Sequence, residues 1–495
     1  MRAALLQSSS YKWWVFLAIS IGLFSSVMDH GGVVVALPTM PEHFETDIPT
    51  VQWVVVGYVL TISALLLPMG RLSDQIGRKR VYIIGSVVFI GGAALAGTST
   101  SIVTLILFKA LQGCGGAMTQ GSGMAMMISA FPPTERGKVM GFIMTVVGIG
   151  AIAGPALGGI LVSALGWEWV FFIHIPLGVL GVAACLLVLN EIRSVNAPQD
   201  GQRTGFDWLG ASLSTGALIT LLMAMTNAHR AGWVSPSILA AIFGFVAFLA
   251  AFIWWELRTP APMLDLRLFK RKLFSLGVSA GFFSFLGSSA SMFMMPFYLQ
   301  KVLDYSPRET GLVMVPAALC MAIMGPVGGW LSDRYGWRRF TVLGMASGAA
   351  GLFILSRLTE NSSLVHVMPA LILQSAGMGM FHSANMNSII SAVERERYGV
   401  VSSFLNLVRN SAQIISIAVA TAIVTAIMAS QGYPPSLDAV SQAPDAFTSG
   451  LRISLRVMGC FMVVGVVVSA LKGTELTQES APRIGEPQTE ASQPD

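Results

Sequence analysis

Charge is what this chain has least of. Asp, Glu, Lys and Arg make up 11% of its 495 residues while 54% are apolar, against about a quarter charged in soluble domains. That composition argues against a soluble assembly of two or three globular domains and makes lipid the expected solvent. Cysteine is nearly absent as well. Cys114, Cys185, Cys320 and Cys460 all fall in apolar runs, with no close pair and no His/Cys ligand spacing, so neither a disulfide nor a metal site is expected. No GxxxxGK[ST] stretch occurs, which removes the phosphate loop through which ATP would be the energy source. His, Asp and Ser do occur in apolar runs, but without hydrolase or metal-ligand spacing. An intramembrane enzyme is therefore not expected.

What is present is a series of apolar runs about 20 residues long, each sufficient at 1.5 Å per residue to cross a hydrocarbon core of about 30 Å. The sequence predicts fourteen, at 13–37, 51–71, 81–99, 102–128, 138–164, 168–190, 206–228, 234–256, 273–298, 309–331, 340–357, 363–390, 400–428 and 450–471. The runs are continuous and lack period-two alternation, so helices are expected rather than a β-barrel. The first run is too long for a signal-peptide core and no small-residue cleavage site follows it, so it is expected to be retained.

The formal charge of +5 is compatible with an anionic partner such as nucleic acid, but the distribution of the cations explains it better. With the N-terminus inside, inner loops and tails hold 22 of the 30 Lys and Arg, and outer loops hold only Arg230, Lys301, Arg308 and Arg357. This asymmetry predicts a multi-pass protein of the cell membrane with both termini cytoplasmic and no nucleic-acid role. The lipid bilayer and a small-molecule substrate are the expected partners, and a monomer the expected state.

Sliding the chain over itself aligns GRLSDQIGRKR (70–80) with GWLSDRYGWRR (329–339) at a lag of 259, with six identities in eleven positions. Two bundles of six helices are thus expected to descend from a duplication. The predicted organisation is an N-terminal bundle (1–190), a linker with two inserted helices (191–272), a C-terminal bundle (273–472) and a tail (473–495) rich in Glu, Gln, Pro and Ser that is expected to be disordered.

These features resemble a known family. GRLSDQIGRKR, the fifth-run stretch GIGAIAGPALGG (148–159) and the inserted helical pair are similar to the major facilitator superfamily, specifically its fourteen-span drug:proton antiporter branch. VALP (35–38), FDWLG (206–210), WEWVFFIHIPLG (167–178) and PMLDLRLF (262–269) are further branch-like pieces, and the resemblance extends to about residue 472. It implies an all-α polytopic fold with two six-helix bundles plus two inserted helices. It also implies export of small amphipathic compounds by alternating access, with a proton gradient and no cofactor as the energy source. An importer or facilitator of one metabolite, such as a vitamin, is the alternative.

Asp29 lies about eight residues, roughly 12 Å, inside the outer end of the first span, and Lys109 about seven residues, roughly 11 Å, inside the end of the fourth. An isolated carboxylate in hydrocarbon binds a proton or finds a cation, so matching depth makes these two candidate partners that face one central cavity, with a pairing that changes on protonation or substrate binding. A structural ion pair and a snorkelling lysine are the alternatives. By resemblance Asp29 matches the branch's first-span aspartate, whereas Lys109 stands where the family has arginine, losing the planar fork. Gly31 and Val34 stand where the pattern has Thr and Asn, and the Gly31–Gly32 pair is expected to loosen the helix. His174 and Glu168 also depart from the pattern and receive no role here.

Arg409, in NLVRNSAQ (406–413), and His382 and Asn385, in FHSANMN (381–387), are candidates to line the same cavity, with structural ties between helices as the other reading. In the fifth span Gly150, Gly154 and Gly158 recur every four residues and leave one helix face bare, with Gly159 beside them and Pro155 removing a hydrogen bond. The resemblance implies a pliable joint, and a static packing groove is the plain reading. Gly70 and Gly77 are expected in tight turns, with Arg78 and its neighbours fixing topology. By resemblance, Asp74 belongs to a charge latch at the cytoplasmic ends, and Asp333 with Arg334 and Arg338 form its counterpart.

Overall fold

The computed structural model describes residues 11–132, 136–189, 207–231, 235–259, 266–393, 398–434 and 437–472. The linker 191–205 and the tail 473–495 lie outside the described residues, as do the side chains of Asp74 and Asp333. The longer helices are α1 (Tyr11–Ala36), α2 (Ile48–Ile76), α3 (Arg78–Gly97), α4 (Ile102–Ser129), α5 (Arg136–Leu165) and α6 (His174–Val188), which follows a single turn at Trp169–Phe172. They continue as α7 (Trp208–Ala231), α8 (Pro236–Glu256), α9 (Lys272–Phe297), α10 (Pro307–Tyr335), α11 (Trp337–Leu355), α12 (Leu364–Ile390), α13 (Tyr398–Ser430) and α14 (Pro444–Ala470). Without water to bond exposed amides, each apolar run satisfies its backbone within itself, which a helix alone allows for a separate segment.

Among the described residues, twelve helical stretches are long and apolar enough to cross a membrane, not the fourteen expected from the sequence. The two that fall short are α7, of which the stretch Trp208–Leu221 qualifies only as a shorter apolar helix among the described residues, and α11, which opens on Arg338 and Arg339. Large apolar side chains project outward all round the molecule, including Phe243, Val365, Leu107 and Leu187. Such a belt suits hydrocarbon and is foreign to a water-facing surface.

Several helix starts are set by short polar side chains. Asp47 accepts the Thr50 amide at 3.0 Å to open α2, and Ser306 with Glu309 forms a reciprocal capping box at α10. Asp207 of the FDWLG stretch accepts the Gly210 amide at 2.8 Å and the Trp255 indole N–H at 2.7 Å, tying α7 to α8.

The repeat is visible in local geometry. Gly77 and Gly336, 259 residues apart, both take positive φ, 107° and 86°, a region that favours glycine. Each closes one helix and opens the next, donating its N–H to Ser73 or Ser332, whose hydroxyls bond the Gly70 and Gly329 carbonyls. Gly70 itself, expected in a turn, lies inside α2. The close approach of α4 there depends on Gly121, whose Cβ would lie 3.0 Å from the Gly70 nitrogen, whereas a Cβ on Gly70 would lie 3.8 Å from the Gly121 carbonyl, an ordinary contact.

Packing repeats as well. In the first bundle α1 packs on α5 and α6, α2 on α4, and α3 on α4 and α6; in the second, α9 packs on α13 and α14, α10 on α12, and α11 on α12 and α14. The bundles meet through α5 against α10 and α13 against α2, the two contacts that a pseudo-two-fold axis would exchange. The α7–α8 hairpin docks by α7 onto α2 and α13.

The glycine stripe of α5 is a contact surface on two sides. Toward α1, a Cβ on Gly154 would lie 2.8 Å from the Met28 carbonyl, and one on Gly158 would lie 2.6 Å from the Gly32 Cα. On α1, a Cβ on Gly31 would meet the Pro155 ring at 2.7 Å. Gly31 and Gly32 therefore do not loosen α1, which runs unbroken to Ala36; they are the counter-surface of the stripe. Toward α10, a Cβ on Gly159 would collide with the Pro307 carbonyl. The ends of the two bundles are also joined there by Gln300 to the Val35 carbonyl at 2.9 Å and by the Arg308 amide to Ser163 at 3.0 Å.

Candidate functional site

The intimate α1–α5 contact fixes where Asp29 sits, because its residue precedes His30, Gly31 and Gly32 directly. Its side chain points to α4, where Lys109 Nζ lies 2.8 Å from Asp29 Oδ2. Both side chains are only 1% exposed, so they form an enclosed ion pair and do not line an open cavity. Lys109 also donates to Gln112 Oε1 at 2.8 Å, and Gln112 Nε2 donates to Asp29 Oδ1 at 3.1 Å. The three groups close a ring in which each polar atom has a partner, the condition under which buried charge is tolerable. Tyr58 and Phe171 present their rings to the ammonium at 4.3 and 5.4 Å, adding cation–π attraction.

A third helix enters through His174 at the start of α6. Its Nε2 lies 3.4 Å from Asp29 Oδ1, and its Nδ1 pairs with Ser25 Oγ at 2.8 Å. Ser25 in turn lines a small cavity of about 20 Å³ between α1, α3, α4 and α6, together with Ser26, Ser86 and Thr119. That volume suffices for a water molecule. A polar route thus runs from the cavity through Ser25 and His174 to the carboxylate.

Neither His174 nor Gln112 carries a role in the sequence reading. Gln112 had a readable signal, since it lies three residues after Lys109 and shares its helix face. His174 had none, because its place depends on how α6 packs.

The second bundle lacks this charge. Its corresponding helix pair, α9 and α12, is bridged by Gln374 donating to Ser291 at 2.6 Å, a neutral analogue of Gln112 and Asp29. Other candidates lie apart from the ion pair. Arg409 of α13 is half-buried and donates from Nε to Asn410 Oδ1 at 3.4 Å. His382 stacks on Phe285 at 4.4 Å between ring centroids. Across the bundles, Gln413 bonds His30 Nε2 at 3.0 Å. Asn385 is buried at the far end of α12, donating to the Gly277 carbonyl at 3.1 Å and accepting from Lys472. Lys472, just past α14, also reaches Ser388 at 3.4 Å, and burial pulls its amine down to about 7.

At the opposite loops, Arg334 lies over the rings of Trp330 and Tyr335 at 5.8 and 5.7 Å, and Arg338 is exposed. Arg78 opens α3. Among the described residues no group of His, Cys, Asp and Glu is arranged to hold a metal.

Two bundles in a lipid-facing belt, meeting along a pseudo-two-fold and enclosing an ionisable pair, define a multi-pass membrane transporter rather than an enzyme. The family model of the Major Facilitator Superfamily matches residues 19–206 and 197–417, and the chain belongs to that superfamily. It is 31% identical over 418 residues to the riboflavin transporter RibZ of Clostridioides difficile, covering 84% of this chain and 88% of that one. It is 30% identical over 426 residues to the tetracenomycin C resistance and export protein of Streptomyces glaucescens, covering 85% and 76%. The multidrug resistance protein Stp of Mycobacterium tuberculosis is 29% identical over 411 residues, covering 83% and 75%. In fold it is similar to a crystal structure of a bacterial homolog to the human lysosomal transporter Spinster, with a TM-score of 0.66 and 17% identity, covering 94% and 97%.

Proposed function

We infer that this protein is a proton-coupled secondary transporter of the fourteen-span drug:proton antiporter branch, exporting small amphipathic compounds by alternating access. In this reading α7 and α11 also cross the membrane, both termini are cytoplasmic and the protein acts as a monomer. The observation that carries it is the enclosed Asp29–Lys109 pair at the point where α1 packs backbone to backbone on α5.

A proton delivered along Ser25 and His174 to Asp29 neutralises the carboxylate and releases the ammonium from its ion pair. Losing one partner of a buried pair is worth roughly 3–5 kcal/mol. That is enough to shift a two-state equilibrium by about two to four orders of magnitude. Because Asp29 is one residue from the glycines seated on α5, a change in the pair and a change in the α1–α5 contact are mechanically the same event. The stripe Gly150, Gly154, Gly158 and Gly159, with Pro155, is then the joint on which the bundles rock. Asp74, Gly77, Arg78, Asp333, Arg334 and Arg338 belong to the cytoplasmic latch.

In this reading the termini are inside, the joined ends at Gln300–Val35 and Arg308–Ser163 face outward, and the exterior side is the closed one. The likeness to two resistance or export proteins supports the export direction. The comparable likeness to a riboflavin transporter supports a second reading, an importer of one heterocyclic metabolite. A flux assay with a substrate library in proteoliposomes, run under both orientations of an imposed pH gradient, separates them. Gradient-driven export of several unrelated compounds supports the first reading, and inward movement of one compound the second.

A further inference from the structure

Asp29 is fully engaged by Lys109, Gln112 and His174. Arg409, by contrast, is half-buried and has no carboxylate partner among the described residues; its one hydrogen bond is to the neutral amide of Asn410. A guanidinium carries five N–H donors, so most of its donors have no partner among the described residues.

Asn406, Arg409 and Gln413 recur at helical spacing and share one face of α13. That face looks toward the other bundle, since Gln413 bonds His30 on α1 at 3.0 Å. The His30 and His382 rings both lie within electrostatic range of Arg409, so side chains from α1, α12 and α13 face a common region. The His382 ring lies flat on Phe285, 4.4 Å between centroids and 20° from parallel. An aromatic pair, Phe285–His382, therefore lies within electrostatic range of the Arg409 cation.

We propose that this cluster is an anion-binding subsite that seats the carboxylate, sulfonate or phosphate of an amphipathic aromatic substrate on Arg409, with His30, Gln413 and Asn406 as further donors and Phe285–His382 beside its ring. The proposal rests on the transport reading above and sharpens it by assigning a substrate class: amphipathic anions are favoured and amphipathic cations disfavoured. A planar guanidinium matches a carboxylate or phosphate two bonds at a time. Because the donors come from both bundles, an anion bound there would touch both, which is what a substrate must do to bias their rocking.

The test is equilibrium binding to the full chain in lipid nanodiscs, with no pH gradient. The probes are 1-naphthoate, 1-naphthamide and 1-naphthylmethylammonium, which share a ring and differ in charge. The wild type is expected to bind naphthoate about tenfold or more tightly than either of the others, the scale of a charged hydrogen bond. Arg409→Gln is expected to reduce naphthoate to the level of naphthamide and leave naphthamide binding unchanged. If Arg409→Gln loses all binding, Arg409→Lys decides: it keeps a preference for naphthoate if the charge matters and loses it if the side chain only supports the fold. Equal or tighter binding of the ammonium probe, no detectable naphthoate binding, or wild-type naphthoate affinity in Arg409→Gln overturns the proposal. Since no gradient is applied, failure of proton coupling would appear only in the flux assay and would leave this result unchanged.

Discussion

Replacing Lys109 with Met leaves the Asp29 carboxylate at 1% exposure with only Gln112 and His174 beside it. Removing one partner of a buried ion pair costs roughly 3–5 kcal/mol, whereas replacing both partners with neutral groups of similar volume is often close to neutral. Lys109→Met and Asp29→Asn should therefore each destabilise the protein by several kcal/mol, while the double variant should recover most of that loss. The coupling energy is expected to be at least about 2 kcal/mol, large for two residues in direct contact. The measurement is a double-mutant cycle on unfolding free energy in mixed micelles, with flux followed in the same four proteins. The double variant should be nearly as stable as wild type and yet show no dependence on a pH gradient. A coupling energy near zero, or a Lys109→Met variant as stable as wild type, would mean that the pair is not the enclosed, mutually dependent unit described above.

Gly158→Leu should suppress transport and cost about 1–3 kcal/mol through overpacking, because its first side-chain atom would lie 2.6 Å from the Gly32 Cα; unchanged flux would contradict a joint at that contact. His174→Gln should leave Asp29 a neutral neighbour but remove the titratable link to Ser25, slowing gradient-driven flux several-fold while leaving substrate binding intact; an unchanged rate would remove His174 from the proton route. Lys472 supplies a pH prediction. Its amine is held at about 7, below its ordinary value of 10.5, by burial, so the unfolded or undocked state binds more protons between those values. Docking of the end of α14 onto Asn385 and Ser388 should therefore strengthen as pH rises from about 7 toward 10.5 and be weakest below 7. Hydrogen exchange around Leu471 and Lys472, corrected for intrinsic rates, should show this, and Lys472→Met should abolish the dependence.

The sequence was most informative where one physical rule dominates. Continuous apolar runs predict helices because lipid offers no backbone partner, and the ends of α4 and α5 fall within about two residues of expectation. The duplication was readable because the same turn chemistry, a serine tie and a positive-φ glycine, was kept at both 77 and 336. Depth along two helices was enough to nominate Asp29 and Lys109 as partners, since each rises 1.5 Å per residue from a common boundary. The same logic fails for rotation about the axis. Gly70 reads as a turn former until it is found inside the continuous α2, and Gly31 and Gly32 read as weak points until α5 is seen against them. Asn385 reads as a pore residue until Lys472, beyond the last apolar run, is found reaching back to it. His174 belongs to a helix whose packing places it, and no spacing rule links it to Asp29 across 145 residues.

The central claim is that proton movement passes through Asp29, and proton flux itself tests it most directly. Proteoliposomes loaded with a pH-sensitive dye and holding wild-type or Asp29→Asn protein would be screened for internal pH change on addition of each compound that the wild type transports. Compound-dependent proton movement is predicted for the wild type and none for Asp29→Asn, with compound binding retained. Equal proton movement in the two proteins would contradict the account.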